Sequence, residues 1–174
     1  MTEKIIIAGS GGQGIMLLGK VMAEAAMYEG KFVTWLPAYG AEVRGGTAHC
    51  MLVISDSEVG SPYVDKADTL IIMNKPSFNK FSHRVDTKGR MIINSSLVGP
   101  VKNKCGVEEA PFTDIAVKLG NVKVANMVAL GRYLRSSKTL KAESILKAMR
   151  KMAPPGREDL VSINEKALQT GRLK

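Results

Sequence analysis

The sequence is poor in the residues that build metal centres, disulfides and stacking platforms. It has two cysteines, two histidines and one tryptophan in 174 residues, and aromatics make up 5%. Cys50 and Cys105 lie far apart and form no Cys-x-x-Cys pair, which excludes a disulfide framework and any recognisable zinc or iron–sulfur ligand set. Both are expected to be inert free thiols. If the protein takes part in redox chemistry, the electron carrier must sit on something else. The scarcity of aromatics, with no helix-turn-helix, RRM or KH signature, argues against nucleic acid as a partner. No apolar run approaches the length of a membrane span. Met1-Thr2-Glu3 passes straight into a strand pattern without a signal-like apolar region, so the expectation is a soluble cytoplasmic protein with no membrane contact.

What is present is an ordinary globular composition, 45% apolar, in a length that fits one domain. The formal charge is +9, and Ser137 to Lys174 holds nine Lys/Arg against four Asp/Glu, hence +5 of it. The expected organisation is a single domain over 1–174, with an α/β core over 1–134 and a basic helical tail over 138–174. That tail reads either as a solvated face or as a face for an acidic partner.

The chain is organised around Gly9-Ser10-Gly11-Gly12-Gln13-Gly14, which follows the apolar run Lys4 to Ala8 and precedes a helical pattern beginning at Ile15. A strand, a tight turn and a helix start make an anion site: glycines permit positive φ and close approach, and the N–H groups of Gln13 to Ile15 point outward. The apolar positions Ile15, Leu18, Met22 and Ala25 predict a helix to Tyr28, stopped by Gly30. Lys31 to Leu36 predicts a second strand, completing a β-α-β unit with a right-handed crossover. Thr47 to Ser55 reads as a central strand, and Asp56 to Pro62 as a turn with a short return strand around Val59. Thr69 to Met73 and Met91 to Asn94 read as buried strands on either side of a short helix near Pro76 to Phe81. Helices are expected over Thr113 to Leu119, Lys123 to Leu134, Leu140 to Met152 and Glu158 to Gly171. The fold class is α/β: a Rossmann-like, doubly wound, mostly parallel sheet with helices on both faces and a helical C-terminal segment.

The spacing matches the dinucleotide fingerprint G-x-G-x-x-G, but an NAD site also needs an acidic residue about 20 residues on, at the end of the second strand. Here that strand ends Trp35-Leu36-Pro37, and Glu29 precedes Gly30 on the wrong side. No Tyr-x-x-x-Lys pair appears either. An NAD(P)-binding oxidoreductase domain therefore remains a rival reading with its discriminating residue missing. The stretch Pro37 to Gly46 reads as a structured loop after a strand end, so it and the glycine turn fit as two walls of one crevice. Arg44 offers fixed donors for a phosphate or carboxylate, Glu42 could orient it, and Tyr39 offers a flat face. A plain Glu42–Arg44 loop ion pair is the alternative. His49, in a strand, reads as a hydrogen-bonded core or interface residue, and His83 as surface.

Gly9 to Gly14, Tyr39-Gly40-Ala41-Glu42-Val43-Arg44-Gly45-Gly46, Val53-Ile54-Ser55 and Ser61-Pro62 together resemble the gamma subunit of 2-oxoacid:ferredoxin oxidoreductases, from Lys4 to roughly Leu134. The pairing of the two glycine segments is more specific than either alone, and the loop resembles the 2-oxoglutarate form more than the pyruvate form. The resemblance implies one subunit, inactive alone, of an enzyme that converts a 2-oxoacid, coenzyme A and oxidised ferredoxin to acyl-CoA, carbon dioxide and reduced ferredoxin. Its partners would be alpha, beta and ferredoxin-like delta subunits, which would carry thiamine diphosphate, Mg and the iron–sulfur clusters. A homodimer of the isolated chain is compatible with that assembly. This chain would contribute the coenzyme A side of the active site through Gly9, Gly11, Gly12, Gln13, Gly14, Tyr39, Glu42, Arg44, Gly45 and Gly46, with no catalytic side chain and no metal ligand of its own. The corresponding domain of an indolepyruvate oxidoreductase has a similar glycine turn and is a second alternative.

Overall fold

A computed structural model describes residues 1–38, 47–101 and 106–173. Six strands form one mixed sheet in the order β2-β3-β1-β4-β5-β6. β1 (Thr2–Ser10) carries the β-branched run Ile5-Ile6-Ile7, fully buried because both sheet faces are covered. β4 (Ala67–Ile72), β5 (Val85–Asn94) and β6 (Gly106–Ala110) continue from β1 as parallel neighbours, whereas β3 (Thr47–Ser55) runs antiparallel to both β1 and β2 (Phe32–Ala38).

The sheet is thus mostly parallel and doubly wound, as its pattern predicts, with two differences near β3. First, β1 and β2 are parallel but not neighbours, because β3 lies between them. The β-α-β unit is therefore split by a strand whose direction the hydrophobic pattern does not encode. Second, there is no return strand around Val59. Both edges of β3 are already paired, so this segment has no ladder to join, and its apolar residues Val59 and Val64 pack on the sheet face instead. The Val64 N–H meets the Met51 sulfur at 3.3 Å. β5 starts six residues before the predicted Met91, and β6 was not predicted from its short, charged sequence Gly-Val-Glu-Glu-Ala.

α1 spans Ile15–Tyr28 and buries Ile15, Leu18, Val21, Met22, Ala25 and Ala26. It ends at Gly30 (φ 69°) in a paired cap: Gly30 N–H bonds the Met27 carbonyl at 3.1 Å and Lys31 N–H that of Ala26 at 3.0 Å. α4 (Phe112–Lys118), α5 (Ala125–Ser136), α6 (Ala142–Met152) and α7 (Glu158–Leu173) share the α1 face of the sheet. α2 (Lys75–Phe81) and the one-turn α3 (Ser95–Val98) cover the other.

The C-terminal helices are packed into the core, with Ile145, Ala148, Ala167 and Leu168 all buried. Their exposed charges pair locally: Lys151 with Glu24, Arg150 with Glu165 at 2.7 Å, and Arg157 with Asp159 at 3.0 Å. Such surface pairs contribute little to stability. α5 and α7 meet through Gly131 and Gly171. A Cβ on Gly131 would lie 2.1 Å from the Leu168 carbonyl oxygen, and one on Gly171 equally close to that of Val128.

At the amino end of β1, Glu3 is 5% exposed, and its carboxylate is the hub of a buried cluster. It accepts from Thr69 Oγ1 at 2.6 Å, Tyr133 Oη at 2.8 Å, Ser137 Oγ at 3.2 Å and Arg90 Nη2 at 3.2 Å. Burial, then the Glu3 charge, raises the Tyr133 phenol above its ordinary range, so it stays a donor. This cluster ties α5 to β1, β4 and β5.

Two outcomes follow from this packing. Glu3→Ala leaves Arg90 and the Tyr133 hydroxyl without their shared acceptor and is expected to cost about 3–5 kcal/mol. Denaturant unfolding monitored by circular dichroism checks this, and a loss too small to measure would show that the cluster relaxes. Gly131→Ala forces α5 and α7 apart and should lower the melting temperature by the equivalent of about 1–3 kcal/mol. A melting temperature equal to that of the unmodified chain would contradict this packing.

Candidate functional site

β1 is the point at which the sheet reverses its winding: the chain leaves it toward β2 on one side and returns to β4 on the other. Ligands of open α/β sheets bind beyond the carboxyl ends of the strands at this position. The glycine turn stands there, directly after Ser10.

The six residues of the turn divide into a closely packed frame and an open face. Gly9 and Gly14 are the frame. A Cβ on Gly9 would lie 2.6 Å from Ile15 Cδ1 and 2.8 Å from Gln13 Oε1. Gly14 caps α1 in the left-handed region (φ 69°, ψ 26°), and a Cβ there would lie 2.3 Å from Asn126 Nδ2. Gly11 and Gly12 are exposed, with nothing within 4 Å of where a Cβ would stand. Among the described residues neither glycine's N–H has a partner.

Gln13 is a brace. Its N–H closes the turn on the Ser10 carbonyl at 3.2 Å, and its Oε1 accepts from Ser10 N at 2.8 Å and Ser10 Oγ at 3.1 Å. Its Nε2 reaches across the crevice to the Met73 carbonyl at 3.3 Å, just beyond β4. The open donors are therefore those of Gly11, Gly12 and the first turn of α1. That turn contains no acidic side chain, so nothing offsets the positive end of the helix.

The buried polar residues that support the turn were not foreseen from the sequence. Asn94, fully buried at the end of β5, donates from Nδ2 to the Met73 carbonyl at 3.1 Å and to Thr113 Oγ1 at 2.9 Å. Asn74 caps α2 through Ser77 N at 3.0 Å, and Ser77 Oγ donates to the Gly9 carbonyl at 3.1 Å. Asn126 donates to the Gly14 carbonyl at 3.1 Å. The available signal was an uncharged polar residue at or just after a predicted strand end, which Asn94 and Asn74 both satisfy.

Tyr39, Glu42, Arg44, Gly45 and Gly46 lie outside the described residues, as does Cys105. Their flanks are placed: Ala38 pairs with His49, and Thr47 pairs with Ser10 in the turn itself. Lys80 of α2 donates to Thr47 Oγ1 at 3.0 Å, bringing a cation to this rim.

His49 lies in β3, its ring 4.6 Å from that of Phe81. Its Nδ1 is buried without a hydrogen-bond partner among the described residues, where one had been expected. Burial, then the charges of Lys80 and Arg84, holds the imidazole below its ordinary range and favours the neutral ring. His83 is exposed. Burial pushes the Cys50 thiol up to about 12, leaving it un-ionised at neutral pH.

Among the described residues no group of three or more His, Cys, Asp or Glu side chains could hold a metal ion, and no helix is long and apolar enough to cross a membrane. Glu29 accepts from the Lys141 N–H at 2.7 Å and so links α1 to the start of α6. It is not available to a ribose at the far end of β2.

Comparison with known proteins gives the family of the chain. The family model for pyruvate ferredoxin/flavodoxin oxidoreductase matches residues 4–173. Ketoisovalerate oxidoreductase subunit VorA of Methanothermobacter thermautotrophicus is 39% identical over 97% of this chain, but the match spans only 35% of VorA. The 2-oxoglutarate synthase subunit KorC of Methanothermobacter marburgensis is 33% identical over 99% of this chain and 96% of KorC. Among solved structures, a keto/oxoacid ferredoxin oxidoreductase gamma subunit from Geobacter sulfurreducens superposes with a TM-score of 0.84 at 30% identity, over 97% of this chain and 95% of that one. A 2-oxoglutarate:ferredoxin oxidoreductase from Magnetococcus marinus, with 2-oxoglutarate, coenzyme A and succinyl-CoA bound, shares the fold at a TM-score of 0.90 and 19% identity, over 99% of this chain and 30% of that one. The fold, the glycine turn at its switch point and these relatives agree: the chain belongs to the pyruvate ferredoxin/flavodoxin oxidoreductase family, as a gamma-type subunit.

Proposed function

We propose that this chain is the gamma subunit of a multisubunit enzyme that oxidatively decarboxylates a 2-oxoacid with coenzyme A and passes the electrons to ferredoxin. The observation that carries the proposal is the family match over 4–173, with an open glycine turn at the β1/β4 switch point. In this reading alpha, beta and ferredoxin-like delta subunits complete the enzyme and bear thiamine diphosphate, Mg and the iron–sulfur clusters. We place it in the cytoplasm. The oxoacid we favour is 2-oxoglutarate, the substrate of the KorC enzyme, and ketoisovalerate is the second reading, since VorA is 39% identical to this chain and KorC 33%.

Within the complex, this chain would form the coenzyme A side of the active site. The residues present fit a phosphate-bearing ligand: Gly11 and Gly12 leave room for close approach, and no carboxylate in the first turn of α1 opposes an anion. Arg44, oriented by Glu42, would add a fixed pair of donors, and Tyr39, Gly45 and Gly46 would complete the loop wall. Coenzyme A supplies the thiol that receives the acyl group. The role of this chain is to hold that carrier in place, a proximity effect that requires no proton transfer by its own side chains.

Anaerobic affinity purification from native cells tests the class. The expected outcome is co-purification of thiamine- and cluster-bearing subunits, with 2-oxoacid- and coenzyme A-dependent reduction of a viologen dye that is fastest on 2-oxoglutarate. Faster turnover of a branched-chain oxoacid would reassign the substrate, and a chain that purifies alone and binds NADH would return the dehydrogenase reading.

Two substitutions test the site in the assembled enzyme. Gly11→Glu places a carboxylate at the open face, where its Cβ meets no neighbour. It should raise the KM for coenzyme A by about tenfold or more at an unchanged melting temperature. Arg44→Ala should likewise raise the coenzyme A requirement while thiamine content stays the same. An unaltered coenzyme A response would remove that residue from the site.

A further inference from the structure

Asn126 lies 112 residues after Gly14 in sequence and is 2% exposed. Its amide is oriented by helix α5, not by the turn. Its Oδ1 accepts from the Met127 N–H at 2.9 Å, and since only the oxygen can accept, Nδ2 must face the Gly14 carbonyl, 3.1 Å away. The same carbonyl accepts from Leu18 N at 3.0 Å within α1. Two donors from two helices therefore hold one carbonyl.

The consequence lies on the other side of that peptide. Because the peptide unit is planar and trans, fixing the Gly14 carbonyl fixes the direction of the Ile15 N–H, which points the opposite way. Ile15 is the first residue of α1, so this N–H is without an intrahelical acceptor. The left-handed φ of Gly14 and the space filled by Asn126 reinforce the arrangement, since no side chain at position 14 could coexist with that amide.

We infer that Asn126 is a positioning residue for the ligand at the glycine turn: it touches no ligand, and it sets the direction in which the Ile15 N–H and the turn beside it face the crevice. This rests on the coenzyme A reading above. It assigns to a buried residue of α5 a share in phosphate binding that it exerts through the Gly14–Ile15 peptide. The effect should fall on recognition of coenzyme A, not on turnover once coenzyme A is bound.

Asn126→Asp is the sharpest substitution, since it keeps the shape and an acceptor for Met127 N–H but turns an oxygen toward the Gly14 carbonyl. Asn126→Ala, which removes both contacts without adding charge, is the second variant should the first fail to assemble. In the complete enzyme, purified anaerobically, the expected result is a KM for coenzyme A raised about fivefold to tenfold, with kcat at saturating coenzyme A and the KM for the oxoacid within twofold of the unmodified enzyme. Calorimetric titration with coenzyme A should show the same loss of affinity.

A merely structural role predicts a lower melting temperature and less active enzyme with an unchanged KM for coenzyme A, and that result would overturn the inference. Gly11→Glu, measured alongside, separates the two levels. If Gly11→Glu raises the KM for coenzyme A and neither Asn126 variant does, the positioning role falls and the coenzyme A reading stands. If none of the three alters coenzyme A binding, the reading itself falls, and the inference with it.

Discussion

Although Gly12 of the turn also has a positive φ (86°), the entry into α1 depends on the left-handed conformation of Gly14. That residue redirects the chain from β1 into α1, and it can do so only because it lacks a Cβ in a space that Asn126 already fills. Once α1 starts there, its path over the sheet is set. Gly19, one turn on, lies where a Cβ would be 2.6 Å from Cys50 Sγ and 2.8 Å from Trp35 Nε1, so the helix rests directly on β3 and β2. α6 then packs on α1, and α5 is held at both ends, by Gly14 through Asn126 and by Glu3 through Tyr133. The open donors at the crevice and the buried core of the domain are thus two results of one turn.

This arrangement explains how a fingerprint of dinucleotide sites can serve a different role. The glycines provide what any phosphate needs, which is room for close approach and N–H groups at a helix start. Selectivity for NAD comes from elsewhere, from an acidic residue at the end of the second strand, and β2 ends instead in Pro37-Ala38. Glu29, the last acidic residue before β2, is engaged with Lys141 on another face. The charge of the C-terminal segment has a similarly local explanation. Three of its nine cations, Arg150, Lys151 and Arg157, pair on the helix surfaces, and the helices themselves bury apolar residues in the main core.

The parts of the structure that were legible in the sequence are those set by short-range pattern. The bounds of α1 and β3 agree with the sequence reading residue for residue, because helical spacing after a glycine turn and a long β-branched run each have one local solution. The direction of β3 was not legible: alternation of burial is the same for parallel and antiparallel strands, and the choice is made by its partners β1 and β2. β6 escaped because two glutamates in five residues carry no burial signal at a sheet edge. At the site, the glycine turn was legible and its supports were not. Ser77, Asn94 and Asn126 come from 68 to 112 residues away or from another strand end, and uncharged polar residues give no periodic signal. The Gln13 N–H was expected to point outward, whereas it closes the turn on the Ser10 carbonyl, and the side chain reaches Met73.

In the proposed complex the backbone at the glycine turn receives coenzyme A. Amide hydrogen exchange of the assembled enzyme, with and without coenzyme A, measures this at the residues concerned. Slowed exchange is expected, confined on this chain to the turn, the first turn of α1 and the loop over 39–46, with the Glu3 end of the sheet unaffected. Protection elsewhere in the complex, with exchange at residues 11–17 unchanged, would contradict it.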